Sequence, residues 1–272
     1  MGLRVNTNVA SLTSQRNLGM ITSRLQGNFS RLSSGMRIAT AADDAAGLGI
    51  SERMRSQIRG FGAASRNAQD GISMVQTAEG ALNEVSNLLG RMRELAVQAA
   101  NGTLSTSDRT TINTEFQAID DEINRVGGQT EFNGISLLDA ASTTKIQVGI
   151  DAGQTIDVVT ADMQSAALSI DTLETTSATL ANAAITALDT AIDSVSTQRG
   201  TFGSSINRLQ SANNSIMNAR ENLSAAESRI RDVDVAFETA DLSRNSIMQQ
   251  AATSVLQQAN VQPQIALSLL QG

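Results

Sequence analysis

The chain of 272 residues contains no Cys, His, Trp or Tyr, only one Pro and only six Phe. Without Cys and His it lacks the groups for a zinc site, a thiol nucleophile or a histidine-based catalytic triad. Disulfide bonds are excluded for the same reason. We interpret the acids Asp43, Asp44 and 120–122 as solvated helix or linker charges rather than catalytic or metal-binding groups. The sequence predicts a protein without enzymatic activity or cofactor.

Long apolar runs are also missing, although 40% of the residues are apolar. No stretch of about 18 apolar residues is present, so no membrane insertion is predicted. The first residues lack the apolar stretch and cleavage site of a signal peptide, so Sec-type export is not expected either. With aromatics at 2%, Ala, Leu, Ile, Val and Met must form the buried surfaces. These residues suit thin interfaces between helices.

Charge is scarce at the two ends of the chain. Residues 1–42 carry five Arg and no acid, and residues 241–272 carry only Asp241 and Arg244. Because these ends contribute +5 and 0 to a net charge of -7, residues 43–240 carry -12. The basic segment lacks aromatics and any nucleic-acid-binding motif, so nucleic acid is not an expected partner. The pattern favours a chain whose ends bind another protein surface.

Apolar residues repeat every seven positions in both halves of the chain, which predicts helices packed side by side. One series runs without a gap from Ala181 to Phe237 and predicts a single rod over 180–237, with a bend or break near Gly200 and Gly203. The other runs from Met54 to Ala96. The predicted core seam consists of Phe61, Val75, Leu82, Leu89, Leu209, Ile216, Leu223 and Ile230.

Three shorter features lie between the two series. The glycine-containing segment 34–49 is predicted to be a linker. A third helix is predicted over 107–127, capped by Ser107 or Asp108 and ended by the glycine pair 127–128. Alternating apolar residues predict a β-hairpin at about 145–159. The predicted fold is mainly α, a long antiparallel coiled-coil bundle of the N- and C-terminal halves plus this small hairpin.

The outermost segments, 1–40 and 241–272, are apolar and almost uncharged apart from the arginines near the N-terminus. They have little left to pack against in a single chain, and ordering costs about 1–2 kcal/mol per residue. We expect them to become ordered only when neighbouring copies cover them. The residues predicted to mediate polymerisation are Leu18, Ile21, Leu25, Leu32, Leu242, Ile247, Val255, Leu256, Leu267, Leu269 and Leu270.

Several motifs occur in a fixed order along the chain. They include 31–38 (RLSSGMRI), 42–48 (ADDAAGL), 93–101 (RELAVQAAN), 129–134 (QTEFNG), 228–234 (SRIRDVD) and 249–260 (QQAATSVLQQAN). In these motifs, and over nearly its whole length, the chain resembles the bacterial flagellins. It is similar to a short form without large variable central domains, because residues 159–177 leave no room for an insertion.

The resemblance implies a structural subunit of the flagellar filament. Residues 1–42 and 236–272 would form a discontinuous, channel-lining polymerisation domain, and 43–235 a core helical domain with the hairpin. It implies a secreted, extracellular protein, exported without cleavage by the flagellar type III apparatus. The implied partners are further copies of the chain, an export chaperone that binds the C-terminal segment, and the filament cap and hook-junction proteins.

Flagellins are also recognised by a Toll-like receptor of animal innate immunity, and Arg91, Leu95 and Glu115 match the recognised positions. The alternative interpretation is that Arg91 and Glu115 are solvated charges and Leu95 is core packing. Leu267, Leu269 and Leu270 similarly match a tail detected by cytosolic sensors.

Two alternative functions stay open on the sequence alone. A hook–filament junction protein would share the flagellin ends, and a helical adaptor would also show seven-residue repeats.

Overall fold

The computed structural model describes residues 7–271, with side chains described as far as Gln262. Its helices are α1 (Val9–Ser34), α2 (Ala45–Ala99), α3 (Thr106–Gln129), α4 (Ala178–Arg231) and α5 (Val235–Gln271). Its strands are β1 (Glu131–Phe132), β2 (Ile135–Ser136), β3 (Ser142–Gln147) and β4 (Thr155–Thr160). The mainly helical class and the small central hairpin are confirmed.

The chain divides into two compact units. The terminal unit comprises residues 1–56 and 222–272, and the core unit comprises residues 57–221. The long helices α2 and α4 each contribute residues to both units. Each unit therefore brings together segments that are far apart in sequence.

The core unit buries a continuous stripe along α2 and α4. Val75, Leu82 and Leu89 of α2 and Leu209 of α4 are at most 1% exposed. The seven-residue spacing places these side chains on one face of each helix, where they share a single apolar core with α3 and the hairpin. Ile216 is also buried, at 5% exposure, whereas Phe61 is half-buried. In the terminal unit, Leu223 and Ile230 are half-buried.

Helix α3 begins at Thr106, and its N-cap lies two residues before the first predicted cap. Ser105 is the N-cap, and its side chain accepts a hydrogen bond from the Asp108 N–H while Asp108 accepts from the Ser105 N–H. This reciprocal capping box satisfies two backbone donors at the helix start. The predictions of Ser107 or Asp108 as the cap were therefore wrong. The glycine pair 127–128 also fails to end the helix, which continues to Gln129.

Two antiparallel hairpins follow α3. In the longer one, β3 and β4 pair from Ser142 opposite Thr160 to Gln147 opposite Thr155, slightly beyond the predicted range. The shorter pair, β1 and β2, was not predicted. Asn133 and Gly134 form its two-residue turn with φ angles of 51° and 75°. Positive φ at both positions is the geometry of a type I′ turn.

The predicted rod over 180–237 is interrupted. Helix α4 ends at Arg231 and α5 begins at Val235, where the Asp234 carboxylate accepts hydrogen bonds from the Ala236 and Phe237 N–H groups. Phe237, predicted to continue the apolar stripe, is 70% exposed. No break occurs at the glycines, because α4 runs through Gly200 and Gly203.

The predicted linker 34–49 is shorter in the structure. Helix α2 begins at Ala45, so the linker covers only residues 35–44. Asp44 accepts a hydrogen bond from the Gly47 N–H and so helps to cap α2, while Asp43 accepts from the N–H groups of Ala39 and Thr40. In the part of the chain that the structure describes, no helix is long and apolar enough to cross a membrane.

Candidate assembly surface

Helices α1 and α5 pack antiparallel in the terminal unit. Near the start of α1, the Asn8 side chain donates to the Ala259 carbonyl at 2.7 Å, and Ser11 Oγ donates to Asn260 Oδ1 at 2.7 Å. Near the other end of the pair, Arg31 Nη1 lies 3.8 Å from Glu238 Oε1. Polar contacts near both ends thus hold the two helices in one register.

A buried polar cluster lies between these ends. Asn28 and Asn245 are 4% and 2% exposed. Asn245 Nδ2 donates to Asn28 Oδ1 at 3.2 Å and to Asp241 Oδ2 at 3.1 Å, and Asn28 Nδ2 donates to the same carboxylate oxygen at 3.2 Å. Buried amides need such partners, because an unmet donor or acceptor costs about 1–3 kcal/mol. The cluster therefore favours this alignment of α1 with α5 over shifted ones.

The linker after α1 is fastened to the segment before α5. The Arg37 N–H donates to the Arg231 carbonyl at 2.7 Å, and the Val233 N–H donates to the Gly35 carbonyl at 3.0 Å. Arg231 also pairs with Glu52 at 2.8 Å. Hydrogen bonds from Arg231 and Arg55 lower the pKa of Glu52. The backbone N–H of Thr40 is the main cause of the lowered pKa of Asp43.

The predicted polymerisation residues fall into three groups. Ile247 and Val255 are strongly exposed, at 67% and 56%. The half-buried group consists of Leu18, Ile21, Leu32, Leu242 and Leu256. Leu25 is only 7% exposed, so its side chain packs inside the terminal unit and is not available to a neighbouring copy. The role of Leu25 in polymerisation stays a prediction, through the packing of α1 on α5.

The predicted contacts at Leu267, Leu269 and Leu270 lie outside the residues with described side chains, and residues 1–6 lie outside the described chain. Other exposed apolar residues of α1 and α5 were missed. They are Val9, Leu12, Met20, Phe29, Val235 and Val261. The sequence did carry a signal for these residues, because α1 and α5 contain more apolar residues than one stripe on a helix accounts for. A count at every seventh position ignores the additional ones. Together with Phe237, Ile247 and Val255 they give the terminal unit an exposed apolar surface.

The sequence profile of the bacterial flagellin N-terminal helical region matches residues 5–144, and that of the C-terminal helical region matches residues 185–270. The flagellin of Halalkalibacterium halodurans is 46% identical over 269 residues, which cover 98% of this chain and 99% of that protein. The chain belongs to the bacterial flagellin family. It is accordingly a structural subunit of the flagellar filament.

Two further relatives agree with the family assignment. The flagellin of Bacillus subtilis is 43% identical over 305 residues, covering 98% of this chain and 100% of that protein. A crystal structure of Bacillus cereus flagellin superposes with a TM-score of 0.52 at 38% identity, covering 60% of this chain and 94% of that one. The filament subunit is thus favoured over the junction-protein and adaptor alternatives.

In the core unit, the three positions matched to receptor recognition differ in exposure. Arg91 donates to Glu115 at 2.7 Å and to Glu94 at 3.1 Å, and all three side chains are about half exposed or more. The hydrogen bond to Glu115 is the main cause of the raised pKa of Arg91. Leu95 is 2% exposed and belongs to the apolar core. This burial fits the alternative interpretation of Leu95 as core packing, and its role in receptor recognition stays a prediction.

One face of α3 fastens the irregular segment 161–177. Asn113 Oδ1 accepts from the Thr175 N–H at 2.8 Å, the Gln117 side chain donates to the Leu173 carbonyl at 2.8 Å, and Asn124 Oδ1 accepts from the Ser165 N–H at 3.0 Å. Side-chain hydrogen bonds therefore replace a regular backbone ladder in this segment. No apolar periodicity in the sequence signals such an arrangement.

Asp120 lies on the same face of α3. It is 7% exposed, and its Oδ1 has no hydrogen-bond partner among the described residues. Burial raises the pKa of Asp120, Ser165 opposes the rise, and the carboxylates of Asp121 and Asp171 add to it. The interpretation of 120–122 as solvated charges was therefore wrong for Asp120. It fits Glu122, which pairs with Arg125 at the surface.

Proposed function

We propose that the chain polymerises through the terminal unit, with residues 1–42 and 236–272 as the polymerisation domain and 43–235 as the core helical domain. The observation that supports this most strongly is the exposed apolar surface on α1 and α5. Ile247 is 67% exposed and Phe237 is 70% exposed, although both belong to well-formed helix. A monomer gains nothing from exposing such side chains, whereas a filament can cover them with neighbouring copies.

The assembly proposal is tested by an Ile247→Asp variant of the full chain. Burying a carboxylate without a partner costs several kcal/mol, so the critical concentration for filament formation should rise at least about 100-fold. Sedimentation and electron microscopy of repolymerised protein provide the measurement. Ile247→Leu is the matched control and should assemble normally. Ordinary filaments from Ile247→Asp would contradict the proposal.

Leu256→Asp is expected to block assembly in the same way. Leu256 is half-buried on α5, so part of its side chain stays accessible to a neighbouring copy. Leu25→Asp should act differently. Its side chain lies inside the terminal unit, so the charge would separate α1 from α5 before any neighbour arrives. Both variants should keep the helices of the core unit folded, which circular dichroism can follow.

A second proposal concerns recognition by a Toll-like receptor of animal innate immunity. The exposed pair of Arg91 and Glu115 supports it, and Leu95 would act only by holding α2 in place. Arg91→Asp should abolish the response of receptor reporter cells to monomer. Arg125→Asp is the control, because Arg125 forms a similar exposed ion pair within α3. A full response from Arg91→Asp would remove the assignment.

The remaining parts of the proposal rest on family membership alone. They are export through the flagellar type III apparatus, binding of a chaperone to the C-terminal segment, and contacts with the filament cap and hook-junction proteins. A structural rather than catalytic role agrees with the absence of Cys and His from the sequence.

A further inference from the structure

A groove of about 450 Å³ opens between α1 and α5. We call it the arginine groove and define it by Arg24, Gly27, Arg31, Asp241, Arg244 and Met248. Gly27 borders open space, because a Cβ added there would meet no atom within 4 Å. The groove is therefore large enough for several side chains of another molecule.

Hydrogen-bond donors exceed acceptors in this groove. Each of the three guanidinium groups carries five N–H donors. Arg31 lies 3.8 Å from both Asp43 and Glu238, and Arg244 lies 3.4 Å from Asp241, which are long contacts. Arg24 forms no ion pair within the described residues. Because Asp241 already accepts from Asn28 and Asn245, the groove favours a ligand that brings its own carboxylate.

A segment of matching chemistry lies at the junction of α4 and α5. Asp232 is exposed, and its side chain makes no hydrogen bond or ion pair among the described residues. Val235 and Phe237, directly after it, are 58% and 70% exposed. We call residues 232–237 the junction knob. It combines a free carboxylate with the most exposed large apolar side chain that the structure describes.

We propose that the junction knob of one copy docks into the arginine groove of a second copy, with Asp232 facing Arg24 and Phe237 packing beside Met248. The inference rests on the proposed assembly through the terminal unit and names the contact that orients it. Knob and groove share no residue of the chain. Such a heterologous contact leaves a free knob and a free groove after each addition, so it produces an open polymer rather than a closed dimer.

A charge swap in the full-length chain tests this contact. Arg24→Glu and Asp232→Lys each place like charges opposite one another, so each should raise the critical concentration for assembly about tenfold. The double variant carries the pair in reverse and should return to within about twofold of the original chain. Sedimentation of filaments across a protein dilution series provides all four values.

Arg16→Glu is the matched control, because Arg16 is exposed on the same helix and does not line the groove. It should assemble at the original concentration. If Arg24→Glu loses helix content by circular dichroism, Arg24→Gln replaces it, with an expected rise of about threefold and no rescue by Asp232→Lys.

The outcomes separate the two proposals. If the original chain and Arg16→Glu form filaments but Arg24→Glu or Asp232→Lys does so equally well, the docking contact is overturned and assembly through the terminal unit stands. The contact is also overturned if the double variant assembles no better than the weaker single variant. If Ile247→Asp forms ordinary filaments, the broader assembly proposal fails as well.

Discussion

The terminal and core units use similar helices in opposite ways. In the core unit, α2, α3 and α4 enclose large side chains such as Leu82, Phe116 and Phe202, each completely buried. In the terminal unit, the buried apolar residues that the structure describes are only Leu25, Ile38 and Ala259. Most of the strongly exposed large apolar residues lie in the terminal unit.

The two units are therefore held together by different interactions. The core unit is stabilised by its own apolar core, as expected of an independently folded domain. The α1–α5 pair is aligned mainly by polar contacts near Asn8, Asn28 and Arg31, while much of its apolar surface faces outward. Polar contacts specify register but contribute little net stability. On the proposed assembly, further copies would supply most of the apolar burial of the terminal unit.

The largest expected effect comes from the same substitution made in each unit. Phe116→Ala should lower the free energy of unfolding by about 3–5 kcal/mol, because it leaves a cavity in the core unit. Phe237→Ala should change monomer stability by less than about 0.5 kcal/mol, since the ring is exposed, but it should weaken assembly. Chemical denaturation of both monomers gives the comparison. Equal destabilisation by the two variants would contradict the proposed difference between the two units.

An intermediate effect is expected from the polar cluster of the terminal unit. Asn245→Ala removes the hydrogen bonds that Asn245 donates to Asn28 and Asp241. The free energy needed to separate α1 from α5 should therefore fall by about 1–3 kcal/mol. Amide exchange in the monomer measures this locally, while the unfolding transition of the core unit should stay unchanged. Ser254→Ala is the control, because Ser254 is exposed and bonds only within α5. Unchanged exchange in Asn245→Ala would show that the cluster does not hold the pair.

The smallest effect concerns Asp120 and depends on pH. Burial raises the pKa of Asp120 in the folded state. The favourable contribution of protonated Asp120 to the free energy of unfolding is therefore complete below its ordinary pKa, and it is lost as the pH rises through the raised pKa. Asp120→Asn should therefore stabilise the monomer by about 1 kcal/mol at pH 7. The gain should disappear below about pH 4. Thermal unfolding at several pH values measures it, with the exposed Asp121→Asn as control; a gain independent of pH would contradict the explanation.

The sequence pattern predicted the core unit better than the terminal unit. Seven-residue repeats identify which face of a long helix is buried when another helix covers that face, as at Leu82 and Leu209. The same count continued from Ile230 to Phe237 and missed the interruption between them. The signal was available in Asp234, a common N-cap residue, but an uninterrupted apolar spacing outweighed it.

The missed features elsewhere have local causes. The Asn133–Gly134 turn has a strong sequence signal, but strands of two residues are too short to show alternation. Asp120 lies within a run of acids and therefore looks solvated in the sequence. Its burial depends instead on the segment 161–177, which covers this face of α3. Exposure of Phe29 and Phe237 likewise depends on the tertiary arrangement, since nothing in their neighbours distinguishes them from core positions.

The hydrogen bond from Asn8 to the Ala259 carbonyl joins positions 251 residues apart. Closing so long a stretch of chain is entropically costly, and proteins dominated by distant contacts fold slowly. Helix α1 cannot pack against α5 until nearly the whole polypeptide has been synthesised. In a refolding time course the amides of α1 should therefore gain protection after those of α3.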